Sequence, residues 1–182
     1  MDSVSLNLLD NTTIRIAGAV KESIVDGPGI RYVVFTQGCP FHCKGCHNVQ
    51  AQSLTGGVDV KLRVLYDEIK ENPLVKGVTF SGGEPFIQST PLSVFADILK
   101  SEGYNLWSYT GFLYEKLSSD PIYKRLLEKL DVLVDGPFVL AKKSLELDFR
   151  GSSNQRIIDV QKSLKSNKAV LMEGRLENAG IN

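Results

Sequence analysis

Apolar residues recur along this chain in two rhythms, short β-branched or aromatic runs that predict strands and runs at three-to-four spacing that predict helices. Residues 12–20 alternate weakly and predict an N-terminal strand or hairpin arm. Residues 31–37, Arg-Tyr-Val-Val-Phe-Thr-Gln, end at Gly38 and read as a buried strand. Residues 58–72 place Val60, Val64, Leu65, Glu68 and Ile69 at helical spacing, and Pro73 closes that helix. A short strand over 77–81 then runs into Gly82-Gly83. The next helix starts near Pro91, a favourable first-turn residue, and ends at Glu102 before Gly103. Residues 104–109 predict a third strand, 121–130 a helix and 131–134 a fourth strand that ends at Asp135-Gly136. Beyond Asn154 the pattern weakens: 156–160 and 168–172 read as short strands, and 177–182 carry no signal.

Strands alternating with helices call for an α/β fold with a parallel sheet and right-handed crossovers. The unusual residues fall in telling places. Segments 39–46, 82–85, 109–111 and 135–137 all follow the C-terminal end of a strand, the face on which α/β barrels and open sheets build their sites. Four separate segments are thus expected on one rim.

At 182 residues, 42% hydrophobic and 23% charged, the chain suits one domain. Lys+Arg and Asp+Glu both number 21, so nothing favours nucleic acid or an anionic membrane as a bulk partner. No apolar stretch approaches the ~20 residues of a membrane helix. Residues Met1 to Asp10 lack the basic and apolar regions of a secretory signal, so the expected compartment is the reducing cytoplasm.

All three cysteines sit in one eight-residue stretch, Cys39-Pro-Phe-His-Cys43-Lys-Gly-Cys46, directly after a strand. An odd count cannot close a disulfide set. A structural zinc site needs a fourth ligand, and His42 and His47, the only histidines, each abut a cysteine. Adjacent residues rarely both reach one tetrahedral ion. Iron–sulfur clusters are normally held by four thiolates, so three leave one iron of a 4Fe-4S cube open to a small-molecule ligand. That reading leads. Ser81-Gly82-Gly83-Glu84-Pro85 adds two glycines just past a strand, where backbone approaches a ligand closely, and a carboxylate for a cation.

With the C-x3-C-x2-C spacing, these residues resemble the radical S-adenosylmethionine enzymes. The resemblance implies an incomplete parallel (β/α) barrel and a 4Fe-4S cluster held by Cys39, Cys43 and Cys46. It also implies S-adenosylmethionine whose amino group meets the Gly82-Gly83-Glu84 segment. Val25-Asp-Gly-Pro-Gly-Ile-Arg31 and Gln37-Gly-Cys39 look like the opening of the glycyl-radical-enzyme activases. Cys46-His-Asn48, Trp107-Ser-Tyr-Thr-Gly111, Val132-Leu-Val-Asp-Gly-Pro-Phe138 and Arg150-Gly-Ser-Ser-Asn-Gln-Arg156 are similar to the activating proteins of anaerobic ribonucleoside-triphosphate reductases. This resemblance covers about residues 20–160.

Many members of the wider family place an aromatic immediately before the third cysteine, where this chain has Gly45. The resemblance to the reductase-activating subgroup assigns the adenine contacts to Gly45, Cys46 and His47, with the His47 ring as stacking surface. Asp135 is expected to make a polar cofactor contact. Asp26 and Gly27, with Arg150, Asn154 and Arg156, are expected to shape the opening that receives the substrate protein's loop. No catalytic side chain is expected beyond cluster and cofactor. The implied partners are the large glycyl-radical subunit of an anaerobic ribonucleotide reductase and a flavodoxin-like electron donor. A homodimer is a further expectation. Residues 1–20 are read as an N-terminal extension or arm, 21–160 as the radical S-adenosylmethionine domain and 161–182 as a C-terminal tail. The alternatives are an activase of pyruvate formate-lyase type, a small-molecule radical S-adenosylmethionine enzyme acting on pterin precursors, and a non-enzymatic zinc or electron-transfer module.

Overall fold

The computed structural model describes residues 1–172. Its chain order begins with helix α1 (Ser3–Asn11), strands β1 (Thr13–Ser23), β2 (Arg31–Thr36) and β3 (Val58–Lys61), and helix α2 (Leu62–Glu71). Strand β4 (Gly77–Gly82), helix α3 (Ser89–Ser101), strand β5 (Asn105–Tyr109) and helices α4 (Tyr114–Ser119) and α5 (Pro121–Leu127) follow. Strands β6 (Val132–Asp135) and β7 (Arg156–Asp159) and helix α6 (Val160–Ser166) complete it. One seven-stranded sheet results, ordered β3-β1-β2-β4-β5-β6-β7. Strands β2, β4, β5 and β6 pair in parallel, whereas β1, β3 and β7 pair antiparallel at the flanks. The incomplete parallel barrel therefore lies in the central four strands, edged by antiparallel strands that close neither side.

Alternation along the strands divides their side chains between two faces. Tyr32, Val34, Val78, Phe80, Leu106 and Leu133 join the helix residues Leu65, Ile69, Leu92, Phe95, Leu99 and Leu126 in the main core. On the other face Trp107, Val132 and Val134 form a smaller cluster with Tyr109, Phe149, Ile157 and Met172. Arg31, only 1% exposed, pins the strand starts together: its Nε donates to Thr79 Oγ1 at 2.7 Å, and its terminal nitrogens donate to Asn105 Oδ1, Asn105 O and Val78 O at 3.0 Å each. It also lies 5.3 Å from the centre of the Trp107 ring. Burial lowers its pKa to about 10, which still leaves it charged at neutral pH.

Three elements differ from the pattern reading. Residues 58–61 form a strand rather than a first helical turn, because β1 presents a pairing edge: Val60 sits opposite Ile14. Helix α1 exists because the Asp2 carboxylate accepts from Ser5 N at 2.8 Å and Leu9 is fully buried, signals that nine residues with a single buried apolar side chain conceal. Helix α4 is anchored by the buried Tyr114 and Leu117, and Asp120 then caps α5 ahead of Pro121. Of the 168–172 strand, only a single Ile158–Leu171 bridge forms. The reading of 177–182 lies outside the described residues. No helix among the described residues is long and apolar enough to cross a membrane.

Candidate active site at the cysteine rim

The chain leaves β2 through Gln37 and Gly38 and folds back on itself. Gly38 N donates to Ala51 O at 2.8 Å, Cys39 N to Gln52 O at 3.0 Å, and Gln37 Nε2 to Ser53 O at 2.6 Å. Between these clamps Cys46 N donates to Cys43 O at 3.1 Å, and His42 (φ 43°) and Gly45 (φ 75°) both adopt the left-handed region. A side chain at Gly45 would also meet Leu140, at 2.9 Å from the Cβ position. The loop so formed brings Cys39, Cys43 and Cys46 into the wall of one cavity of about 750 Å³.

All three thiols are free and partly exposed. Burial pushes the Cys39 thiol up, the Phe41 amide pulls against it, and the Glu84 charge adds to the push. A thiolate at Cys39 therefore wants a cation. Asn48 N donates to Cys46 Sγ at 3.4 Å, the kind of contact that tunes a cluster sulfur. Among the described residues no three His, Cys, Asp or Glu side chains are grouped as a single-ion site. In donor chemistry, three soft thiols on one wall fit an iron–sulfur centre.

Gly82, Gly83 and Glu84 line the same cavity. The glycines are required for a different reason from the one the sequence suggests. A Cβ on Gly82 would lie 2.6 Å from the Phe35 backbone, and one on Gly83 would lie 2.2 Å from Gly38 O. The β4 turn is thus packed against the entry to the cysteine loop, and Glu84 N donates to Gly38 O at 2.7 Å. The Glu84 carboxylate is fully buried. Its Oε1 accepts from Phe86 N at 3.0 Å and Thr110 Oγ1 at 2.9 Å, and its Oε2 accepts from Gly111 N at 2.8 Å. Acceptor capacity remains on Oε2.

Sequence reasoning passed over Phe41 and Gly111 as partners. A Cβ on Gly111 would lie 2.5 Å from Phe41 Cδ2, so the ring packs directly against that glycine, and Phe41 meets Phe112 edge-on at 4.8 Å. Glu84, Thr110-Gly111 and Phe41 together lock three strand ends to one another. The signal was present as a glycine two residues past a strand end. His47 lines the cavity with Phe138, their rings 5.6 Å apart, so His47 rests on a protein aromatic.

The fourth strand end departs from expectation. Asp135 does not line the cavity: it is fully buried and accepts from Tyr114 N at 2.7 Å and from Arg156 Nε at 2.9 Å. A second Arg156 nitrogen bonds Asp135 Oδ2, and Arg156 also reaches Glu115 at 2.9 and 3.1 Å. Those two carboxylates hold the Arg156 guanidinium firmly protonated. Asp135 and Arg156, read as separate site residues, are each other's ion-pair partner, because β7 pairs with β6 and sets Arg156 opposite Asp135. Asn154 is likewise turned inward, its Nδ2 donating to Pro137 O at 2.8 Å. Gly27 is buried outside the cavity wall against Arg31, where a Cβ would approach Cδ at 2.7 Å. Arg150 and Asp26 do line the cavity. Asp26 is held by Ser23 Oγ on its carboxylate and, through its carbonyl, by Thr79 Oγ1 at 2.8 Å.

A three-thiol loop at the strand-end rim of an incomplete α/β barrel defines an iron–sulfur enzyme class. The family model described as 4Fe-4S single cluster domain matches residues 25–158. The anaerobic ribonucleoside-triphosphate reductase-activating protein of Pasteurella multocida (strain Pm70) is 32% identical over 143 residues, 74% of this chain and 90% of that protein. The pyruvate formate-lyase 1-activating enzyme of Escherichia coli (strain K12) is 33% identical over 152 residues, 80% of this chain and 60% of that enzyme. The crystal structure of QueE from Escherichia coli superposes with a TM-score of 0.46 at 18% identity, covering 61% of this chain and 58% of that one. The chain belongs to the 4Fe-4S single-cluster family of radical S-adenosylmethionine activating enzymes.

Proposed function

We propose that this protein activates an anaerobic ribonucleoside-triphosphate reductase by generating a glycyl radical on it. The observation that carries this reading is the sharing of one cavity by three thiols, the Gly82-Gly83-Glu84 turn and His47. Coverage supports the reductase over pyruvate formate-lyase as target, since the chain spans 90% of the reductase-activating relative and 60% of the lyase-activating one. A 4Fe-4S cluster, once given an electron, would supply reductive cleavage of S-adenosylmethionine and through it hydrogen abstraction from a glycine. Cys39, Cys43 and Cys46 would hold that cluster. Glu84 would bind the cofactor's ammonium, and Gly45, Cys46 and His47 would meet its adenine. The packed rim would keep these groups in register. A flavodoxin-like donor, a cytoplasmic setting and a homodimeric assembly complete the reading on family resemblance alone.

The test is paired. Anaerobically reconstituted protein with a strong reductant and S-adenosylmethionine is expected to release 5′-deoxyadenosine, and with the reductase added to give a glycyl radical signal in electron paramagnetic resonance. Cofactor cleavage without any radical on the reductase would point to another target.

Glu84 gives the reading a pH signature. Burial drives its carboxyl from 4.5 up to about 7, against the pull of its Gly111, Phe86 and Thr110 donors. Because this acid is raised, the fold binds its proton more tightly than the unfolded chain does. Its contribution to stability is therefore greatest below pH 4.5 and declines as pH rises toward 7. An ammonium ligand favours the carboxylate, so cofactor affinity is expected to be level above pH ~7 and to fall about tenfold by pH ~6. Glu84→Gln should flatten that profile and weaken binding by roughly tenfold to a hundredfold. Calorimetric titration across this range checks both, and a level profile in the parent protein would return Glu84 to a turn residue.

A further inference from the structure

The connection from β6 to β7 passes the cavity with its ends held and its middle free. At one end Lys143 bridges to Ser152. At the other, Arg150 donates to Gln155 O at 3.0 Å, and Gln155 Oε1 accepts from Gly151 N and Ser152 N at 2.9 and 3.1 Å. Among the described residues the stretch 144–148 pairs with no strand and turns only at 148–149, and its one local side-chain contact is Glu146 N to Ser144 Oγ at 3.2 Å. Leu145 is 92% exposed, Leu147 is half-buried, and both stand at the cavity's outer rim. From the opposite flank of the parallel strands, the β1–β2 connection brings Ile24 and Val25, 74% and 72% exposed, to the same cavity.

Charges on the 142–148 stretch are mixed, with Lys142 and Lys143 beside Glu146 and Asp148, so they select no ion of one sign. Two leucines beside main-chain N–H and C=O groups that pair with no strand among the described residues fit a polypeptide. A peptide backbone satisfies the free main-chain groups, and its aliphatic side chains cover the leucines. Continuity with the cysteine cavity fixes which polypeptide this is.

We propose that residues 144–148 form the docking lip for the reductase: a segment of that partner lies against Leu145 and Leu147, bonds to the free main chain and so presents its glycine to the cavity. This rests on the activase reading above. The held ends keep the lip at a fixed place relative to the thiols, so the glycine's distance from the reacting centre is set by the fold. A small molecule entering the cavity would leave Leu145 in water.

The decisive variant is the double change Leu145→Ser with Leu147→Ser, assayed with purified reductase as the probe. The reductase concentration giving half-maximal radical formation is expected to rise about tenfold. Maximal radical yield at saturating reductase, iron content and partner-free release of 5′-deoxyadenosine are expected to stay at parent levels. In the parent protein, amide hydrogen exchange over 143–149 should slow when the reductase is added. An unchanged half-maximal concentration, or amides that stay unprotected, overturns the docking lip. Equal loss of partner-free cleavage overturns it too, by moving the leucines into the cofactor site. A change of the variant alone from dimer to monomer overturns it in favour of a second copy of this chain. Failure of the activase reading looks different: the parent then cleaves the cofactor and leaves no radical on the reductase at any concentration.

Discussion

Cys39→Ala, Cys43→Ala and Cys46→Ala are each expected to yield a folded protein that assembles no stable 4Fe-4S cluster and forms glycyl radical only at background. Removing any one thiol leaves two protein ligands for the cube, too few to retain it against loss of iron. The fold tolerates the change because the three side chains are partly exposed and their loop is held by main-chain bonds from Gly38 and Cys39 to Ala51 and Gln52. Stability should therefore shift by no more than ~1 kcal/mol, about 2 to 4 °C in Tm for a chain of this size. Iron and sulfide analysis after anaerobic reconstitution, with thermal unfolding beside it, reads both effects. A redox-active cluster signal surviving in any one variant would remove that cysteine from the ligand set.

Arg156→Ala is expected to be strongly destabilising although it lies outside the apolar core. Asp135 is fully buried, and without the guanidinium it keeps only the Tyr114 amide at 2.7 Å. Breaking a buried ion pair by deleting one partner costs about 3 to 5 kcal/mol, because the charge left behind is neither solvated nor compensated. For a protein of this length that is a fall in Tm of roughly 10 °C. Asp135→Asn in the Arg156→Ala background should recover part of the loss, so the double change costs less than the two single changes added together, by ~1 kcal/mol or more. An unchanged Tm together with lost radical transfer would be the opposite result, and would restore Arg156 to partner recognition.

The order of elements was legible because strands 31–37, 77–81, 104–109 and 131–134 are short runs rich in apolar, β-branched and aromatic residues, with glycine at or near most of their ends. The cysteine spacing was as plain, since three soft ligands in eight residues with no fourth leave little other chemistry. Helices α1 and α4 were not legible. Each is short, held by a cap or by two buried side chains, and gives too few turns for a period to emerge.

What residue order determined here is therefore local: which runs are strands, where each breaks, and that three thiols follow the first of the central ones. Only the tertiary structure decided which rim residues share the cavity and which hold the scaffold. Asp135 follows a strand end just as Glu84 does, yet β7 folds back beside β6, delivers Arg156 to it and takes it out of the cavity. Gly82 and Gly83 look like room for a ligand, but backbone from Phe35 and Gly38 already occupies that space. Phe41 and Gly111 lie 70 positions apart in the numbering and fit only because β2, β4 and β5 are neighbours. Such pairings depend on distances through space between chain segments, and the one-dimensional pattern carries periodicity and composition without those distances.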